Sequence, residues 1–190
     1  MTTPKWSIFL NIDINQPLRH YYQQTPQRDR KPPHPPQAKG IMVQNVLIVC
    51  IGNICRSPMA AAMLKNALGE QSDVSLGSAG LGAMVGHPAD DHAIALMHER
   101  GLDISDHRAR QLEPALIKAA NLVLVMESGH RQMISELEPA TRGKVYRLCE
   151  WTDEDVPDPY KQPRAAFEEA LVLIEKGVRD WAEKINIQAG

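Results

Sequence analysis

The chain has 190 residues, 43% of them hydrophobic, and a formal net charge of −2. This length and composition support one globular domain with a substantial core, and the small negative charge excludes the basic surface that nucleic-acid binding requires. Three cysteines are too few for a disulfide framework, no apolar run is long enough for a membrane span, and neither CxxC nor HExxH occurs. We therefore expect a cytoplasmic protein with no metal site and no cofactor.

Residues 1–43 differ in composition from the rest of the chain. They hold seven of the fourteen prolines and six Lys or Arg against two Asp or Glu, and they show no sustained periodicity. We expect a disordered, basic extension here, with residues 44–190 forming the folded domain. The extension could be a polyproline ligand or a basic tether. We favour the interpretation that this segment is a leader without a function of its own, which precedes the natural start of translation at Met42, because its residues show no spacing that a function would require.

From residue 45 onward, short β-branched runs alternate with amphipathic stretches. Strands are predicted at 46–49, 73–76, 122–126 and 145–148, and helices at 58–68, 89–100, 113–120 and 128–137. The last helix is indicated by an apolar stripe formed by Phe167, Leu171, Ile174, Val178, Trp181 and Ile185. This alternation predicts a doubly wound α/β fold, whose ligands bind at the carboxyl ends of its strands.

The glycine-rich stretch 77–86, GSAGLGAMVG, invites comparison with a dinucleotide-binding loop. Its glycines do not follow the GxGxxG spacing, and no clear helix begins inside it. We expect this stretch to form a flexible wall beside the carboxyl edge of the sheet.

The segment 46–61, VLIVCIGNICRSPMAA, carries the strongest functional signal. Cys50 ends the first predicted strand, and five residues separate it from Arg56, where a helix is about to begin. A backbone that curls over this distance can direct its amides inward as a nest for phosphate oxygens. The positive end of a helix stabilises anions, both a bound phosphate and a thiolate. This pattern predicts a phosphatase whose nucleophile is Cys50.

Residues within this segment suit a tight loop followed by a helix. Gly52 and Asn53 accept backbone conformations that most residues avoid. Ser57 is expected to cap the helix, with Pro58 at its first position and Gly69 at its end. The competing interpretation, a buried strand cysteine with an arginine nearby by accident, is disfavoured because the strand, loop and helix signals agree.

Hydrolysis of an aryl phosphate also needs a proton donor for the leaving oxygen. Residues 153–160 read DEDVPDPY, and we expect most of this acidic run to be a solvated loop. Asp158 differs from the others because a proline on each side restricts the backbone, and Tyr160 can supply a ring wall. We therefore expect Asp158 to be the general acid.

Taken together, CIGNICRSP and DPY resemble the low-molecular-weight protein tyrosine phosphatase family over residues 44–186. The resemblance implies a flavodoxin-like fold with a four-stranded parallel sheet. It also implies that Cys50 is the nucleophile, that Arg56 holds the phosphate, and that Asp158 acts as general acid and then as general base. Neither a metal nor a cofactor takes part.

Other residues match family positions around these three. The resemblance implies that phosphate is bound by the loop residues Ile51, Gly52, Asn53, Ile54, Cys55 and Arg56. It implies a supporting hydrogen-bond network formed by Asn53, Ser57, Ser78 and Arg110, beside a buried structural histidine, His107. Cys55 matches a second loop cysteine that can pair with the nucleophile under oxidation, or it is simply a small buried residue.

The stretch SAGLGAMVGHPAD resembles a bacterial subgroup that acts on autophosphorylating tyrosine kinases in polysaccharide production and export. Leu81 and Lys161 stand where eukaryotic members often carry aromatic residues, so eukaryotic substrate preferences are not expected. The expected partner is a phosphotyrosine protein, namely a kinase of this type.

Three alternatives remain open. A thiol-dependent arsenate reductase shares the loop but needs resolving cysteines, and residues 117–135 contain none, while Cys149 alone is a poor substitute. Phosphoarginine phosphatases of the family tend to carry threonine in place of Ile54. An inactive phosphotyrosine-binding module is disfavoured by the intact catalytic set. For the phosphatase we expect a bell-shaped pH dependence with an optimum on the acidic side of neutral.

Overall fold

A computed structural model describes residues 43–69, 72–141 and 143–189. The predicted extension at 1–43 lies outside the described residues except for Val43, and it stays a prediction. The strands are β1 (Asn45–Cys50), β2 (Ser75–Gly80), β3 (Leu122–Val125) and β4 (Val145–Arg147). The helices are α1 (Arg56–Leu68), α2 (Asp91–His98), α3 (Pro114–Ala119), α4 (Ser128–Leu137) and α5 (Arg164–Ala189). Among the described helices, none is long and apolar enough to cross a membrane.

All four strands run parallel in the order β2-β1-β3-β4. In the central register, Ile48 of β1 pairs with Ser78 of β2 and Leu124 of β3. The predicted four-stranded parallel sheet is confirmed. Because the strands are parallel, their carboxyl ends meet at one edge, where Cys50 ends β1.

Each face of the sheet is covered by helices. Alternate residues of β1 point to opposite faces, so Ile48 packs with residues of α1, α2 and α5, while Val49 packs with residues of α3 and α4. The predicted stripe of α5, from Phe167 to Ile185, is buried against the first of these faces. This two-sided covering confirms the doubly wound arrangement.

Strand β2 differs from its prediction. It runs from Ser75 to Gly80 and pairs with β1 as far as Cys50, so the expectation of a flexible wall is wrong for residues 77–80. Position 80 requires glycine, because a Cβ there would collide with the carbonyl oxygen of Ile51. Close fit against β1 therefore outweighs the low strand propensity of the GSAG sequence.

The start of α1 also differs. The helix begins at Arg56, its N-cap Cys55 makes no side-chain capping bond, and Pro58 is its third residue. Ser57 therefore does not cap the helix, because its hydroxyl is engaged with the thiol of Cys50. Gly69 ends the helix with a φ of 82°, as the sequence predicted.

Candidate active site

The site lies at the carboxyl end of β1, in a loop of residues 50–55 that we call the phosphate loop. The chain reverses there and enters α1 at Arg56. Asn53 adopts the left-handed conformation with a φ of 57°, which asparagine tolerates better than most residues. The first amides of α1 have no partner within the helix, so the loop and the helix end together offer a row of donors.

Every carbonyl of the phosphate loop has a donor outside the enclosed space. The partners of residues 50–55, in order, are Leu81 N (2.9 Å), Gly82 N (3.1 Å), Met84 N (3.0 Å), His107 Nε2 (2.6 Å), Asp90 N (2.8 Å) and Met59 N (3.4 Å). Because a carbonyl only accepts, His107 must donate from Nε2. The outward carbonyls leave the amides facing the interior of the loop, which is the arrangement of an anion-binding nest.

The sulfur of Cys50 lies inside this loop, and the residue is only 2% exposed. The amide of Asn53 donates to it over 3.3 Å, and Ser57 Oγ lies 3.0 Å away. Ser57 Oγ already accepts a hydrogen bond from Asn53 Nδ2 at 2.8 Å, so its own proton is available to the sulfur. Two hydrogen-bond donors are therefore directed at the sulfur.

Asn53 is the centre of the supporting network and is fully buried. Its Nδ2 also donates to Ser78 Oγ (3.0 Å), and its Oδ1 accepts from the amide of Arg110 (2.9 Å). The side chain of Arg110 donates to the Ser78 carbonyl over 2.7 Å. The structure thus brings together all the supporting residues that the sequence indicated around the loop, although His107 is half-buried rather than buried.

Arg56 is the largest buried polar side chain in the site, at 1% exposure. Its Nη1 donates to Glu127 Oε1 (2.6 Å) and to the Val156 carbonyl (2.9 Å), while Nη2 lies 2.7 Å from Asp158 Oδ2. Nε has no partner within the described part of the chain. Burial opposes the charge, but Asp158, Cys50 and Glu127 together raise the pKa of Arg56 above its ordinary value. The guanidinium is therefore a fixed cation whose Nε and Nη2 edge suits two phosphate oxygens.

Asp158 lies at the mouth of the site, with 37% of its side chain exposed. Its Oδ1 accepts from the amide of Tyr160 over 3.2 Å, and the Tyr160 side chain is exposed beside it. The Lys161 ammonium lies 5.2 Å from the centre of the Tyr160 ring. The structure therefore joins Asp158 to the phosphate loop through Arg56, although Arg56 and Asp158 are 102 positions apart in sequence.

Glu127 is the main site residue that sequence reasoning missed. It lies two residues after the end of β3, and its carboxylate anchors the buried end of Arg56. Burial opposes its ionisation, but contact with His130, whose Nε2 lies 3.3 Å away, and the charge of Arg56 lower the pKa of Glu127 to about 2. A charged residue immediately after the apolar strand predicted at 122–126, at the edge where ligands bind, was the available signal.

The other two cysteines are unsuited to act as nucleophiles. Burial, and then the negative charge of Asp90, raise the pKa of Cys55 far above its ordinary value. Burial and Glu154 raise the pKa of Cys149 to about 11, and its thiol donates to the Leu173 carbonyl. None of the three cysteines forms a disulfide, so Cys55 is in its reduced form.

The acidic run is exposed, as expected, but it is not merely solvated. We call residues 153–160 the acid loop. Asp153 and Asp155 both contact Arg147, and Glu154 Oε2 lies 2.8 Å from Lys176 Nζ. These contacts were not foreseen, and they fix the conformation of the loop that carries Asp158.

Comparison with known proteins adds independent findings. A family model described as low molecular weight phosphotyrosine protein phosphatase matches residues 45–189. A curated relative from Ralstonia nicotianae, "Probable low molecular weight protein-tyrosine-phosphatase EpsP", is 48% identical over 145 residues, which are 76% of this chain and 98% of the relative. Vibrio vulnificus Wzb, solved in complex with benzylphosphonate, is 37% identical with a TM-score of 0.71, covering 75% of this chain and 99% of that one.

A third similar protein has a different named activity. The YwlE arginine phosphatase from Geobacillus stearothermophilus is also 37% identical, with a TM-score of 0.71, and the match covers 76% of this chain and 94% of that one. The fold alone therefore does not separate phosphotyrosine from phosphoarginine as the substrate.

Proposed function

The chain belongs to the low molecular weight phosphotyrosine protein phosphatase family, and from this premise we propose that it hydrolyses phosphotyrosine in proteins through a cysteinyl-phosphate intermediate. The family resemblance drawn from two motifs is confirmed. The observation that carries the proposal is the phosphate loop: its carbonyls are all bonded outward, its sulfur accepts two hydrogen bonds, and a buried guanidinium stands beside it.

In the first step, the phosphate of the substrate replaces Asp158 as the partner of the Arg56 Nε and Nη2 edge. The Cys50 thiolate attacks phosphorus in line, an S–P bond forms, and the bond from phosphorus to the tyrosine oxygen breaks. Asp158, in its protonated form, donates a proton to that leaving oxygen. The loop amides and Arg56 stabilise the charge on the transferring phosphoryl oxygens.

In the second step, water hydrolyses the intermediate. Asp158, now a carboxylate, takes a proton from the water while the water oxygen bonds to phosphorus. The S–P bond breaks, inorganic phosphate forms, and the sulfur leaves as a thiolate. Ser57 and the Asn53 amide, which donate to this sulfur, favour its departure as an anion.

The alternatives fit the site less well. An arsenate reductase would need resolving cysteines outside the phosphate loop, but the sequence offers only Cys149 there, which is buried against α5 and bonded to the Leu173 carbonyl. Ile54 argues against phosphoarginine as the substrate. Its side chain is apolar and 7% exposed, whereas the family resemblance associates a threonine at this position with phosphoarginine hydrolysis. Because the arginine phosphatase is as similar in fold as the Wzb structure, phosphoarginine remains the second substrate to test.

The proposed setting is the cytoplasm, where reducing conditions keep the Cys50 thiol free. The proposed partner is a phosphotyrosine protein, specifically an autophosphorylating kinase of bacterial polysaccharide production or export. This proposal is supported by the sequence resemblance in residues 78–90 and by the 48% sequence identity with the EpsP relative.

The proposal is tested by the hydrolysis of p-nitrophenyl phosphate by the wild type, Cys50→Ser, Asp158→Ala and a control, Cys149→Ser. We expect no turnover in Cys50→Ser and a loss of about 10²- to 10³-fold in kcat for Asp158→Ala. Cys149→Ser should stay within about twofold of the wild type. Wild-type turnover in Cys50→Ser would show that another residue is the nucleophile.

The substrate class is tested separately with two peptides of the same sequence, one carrying phosphotyrosine and the other phosphoarginine. We expect the higher kcat/KM for the phosphotyrosine peptide. Ile54→Thr should reduce the ratio of the phosphotyrosine kcat/KM to the phosphoarginine kcat/KM. A wild-type preference for the phosphoarginine peptide would replace the proposed substrate.

A further inference from the structure

Arg147, the last residue of β4, has a buried guanidinium that takes no part in the reaction described above. The residue is 7% exposed, and its partners are two carboxylates of the acid loop, Asp153 and Asp155. Nη1 lies 3.2 Å from Asp155 Oδ1. Burial opposes the charge, but hydrogen bonds to both carboxylates raise the pKa of Arg147. The sheet therefore presents a permanent cation to this loop.

Asp155 also caps a helix. The N-cap residue of α4, Glu127, makes no side-chain capping bond because its carboxylate is directed to Arg56. Asp155 supplies the cap instead, accepting from the Ser128 amide (2.9 Å) and from Ser128 Oγ (3.1 Å). One carboxylate thus joins β4 to the N-terminus of α4, where the helix dipole also favours a negative charge.

The next residue, Val156, connects the anchored Asp155 to the active site. It is fully buried, its amide donates to the Met126 carbonyl (2.8 Å), and its carbonyl accepts from Arg56 (2.9 Å). Asp158 follows two residues later, with Pro157 restricting the backbone between them. Three attachments, at residues 155, 156 and 158, therefore determine where the carboxyl group of Asp158 lies.

We propose that Arg147 and Asp155 are positioning residues that set the distance between the Asp158 carboxyl and the leaving oxygen. This inference rests on the proposed function, in which Asp158 is the general acid. Loss of Asp155 breaks the bonds of the acid loop to α4 and one of its two ion pairs to β4, and loss of Arg147 breaks both pairs to β4, while the phosphate loop keeps all its own bonds. Proton donation then fails more than phosphoryl transfer, and a displacement of about 1 Å is enough to matter.

The test compares kcat/KM for phenyl phosphate, whose leaving group needs protonation, with that for 2,4-dinitrophenyl phosphate, whose leaving group does not. For Asp155→Ala we expect a loss of about 10-fold with the first substrate and less than about twofold with the second. Arg147→Gln should behave in the same way, and Arg147→Lys should recover part of the loss. Glu154→Gln is the matched control: it lies in the same loop, but its pair with Lys176 is exposed and contributes little alone, so each value should change by less than about twofold.

Asp158→Ala, measured in parallel, separates the two claims. If it shows the leaving-group pattern and Asp155→Ala does not, the positioning role is overturned while the proposed mechanism stands. If Asp158→Ala itself lacks the pattern, the assignment of the general acid fails. Thermal unfolding of each variant checks the fold. Where Arg147→Gln does not fold, Asp155→Asn and Ser128→Ala give the decision, and equal losses with both substrates would refute the inference.

Discussion

The phosphate loop leads into Arg56 and the acid loop contacts its side chain, and the two loops are held by different kinds of interaction. The phosphate loop is buried and is fixed by main-chain bonds and neutral side chains, chiefly those of Asn53 and Ser57. The acid loop is exposed and is fixed mainly by ion pairs to Arg147, Lys176 and Arg56 itself. The phosphate loop is therefore rigid and independent of salt, whereas the acid loop is adjustable.

This difference matches the work required of each loop. The phosphate loop must be complementary to a developing charge before the substrate arrives, which demands preorganised donors. In the proposed mechanism, the acid loop must release Arg56 to the phosphate and then donate and accept a proton, so Asp158 needs a partner that it can leave. Exposed ion pairs contribute little individually, so the acid loop depends on several of them together with the buried Val156.

Among variants that keep Cys50, Arg56 and Asp158, the largest effect should come from Asn53→Ala, which removes the centre of the network that supports the phosphate loop. Alanine loses three side-chain hydrogen bonds and disfavours the observed φ of 57°. We expect kcat/KM for p-nitrophenyl phosphate to fall about 10³-fold and the free energy of unfolding to fall by about 3 kcal/mol. Asn53→Gly is the control, because glycine keeps the backbone conformation and isolates the loss of the side chain. Near-wild-type kinetics in Asn53→Ala would mean that the loop does not need this network.

Glu127→Gln should have the next largest effect, because it removes the buried anion that fixes Arg56. We expect kcat/KM to fall about 10²-fold, with Glu127→Asp recovering part of the loss. We also expect the variant to be less stable than the wild type by on the order of 3 kcal/mol at pH 7 in urea unfolding.

The same variant predicts a pH dependence. Because the pKa of Glu127 is lowered from 4.5 to about 2, its ionisation contributes stability that is fully present above pH 4.5. That contribution is lost as the pH falls through the range from 4.5 to about 2. The difference in unfolding free energy between wild type and Glu127→Gln should therefore shrink over this range. A difference that stayed constant would contradict the lowered pKa.

A smaller effect is expected from Ser78→Ala, at the edge of the supporting network. Ser78 Oγ accepts one hydrogen bond, from Asn53 Nδ2, and Asn53 keeps its bond to Ser57 without it. Loss of about 1 kcal/mol corresponds to a fall of about fivefold in kcat/KM. Ser75→Ala, on the exposed first residue of β2, serves as the control. A fall as large as that of Asn53→Ala would place Ser78 at the centre of the network.

The smallest effect should follow Lys176→Gln, which breaks the exposed pair with Glu154. Exposed ion pairs contribute about 0.2 to 1 kcal/mol, so kcat/KM should stay within about twofold of the wild type. The measurement is made at low and high ionic strength. A tenfold loss of kcat/KM at low salt would show that this single ion pair holds the acid loop, and would contradict the view that several pairs hold it together.

The sequence predicted the phosphate loop more completely than the acid loop, and the reason is the range of the contacts. Cys50, Asn53 and Arg56 lie within seven residues, and the strand before them and the helix after them have local signals. Asp155 meets Ser128 and Arg147 only because β4 lies next to β3 in the sheet. Hydrophobic periodicity indicates that strands exist, but it does not specify which strands are neighbours.

Two other differences have separate physical causes. Strand β2 extends through Gly77 and Gly80 because fit against β1 outweighs residue propensity there. Ser57 was expected at a helix cap because that is where serine usually serves, but its hydroxyl is bonded to Cys50 and Asn53. In both cases, the requirements of the site replaced the ordinary local preference.

The rim of the site is attached to the phosphate loop through its own backbone. The amides of Leu81, Gly82 and Met84 hold the loop carbonyls, and Val85 beside them is 66% exposed. Main-chain bonds of this kind tolerate a change of side chain. Diverging copies of the gene can therefore alter the surface that a protein substrate meets while the reaction chemistry is inherited intact, so recognition and turnover can evolve separately.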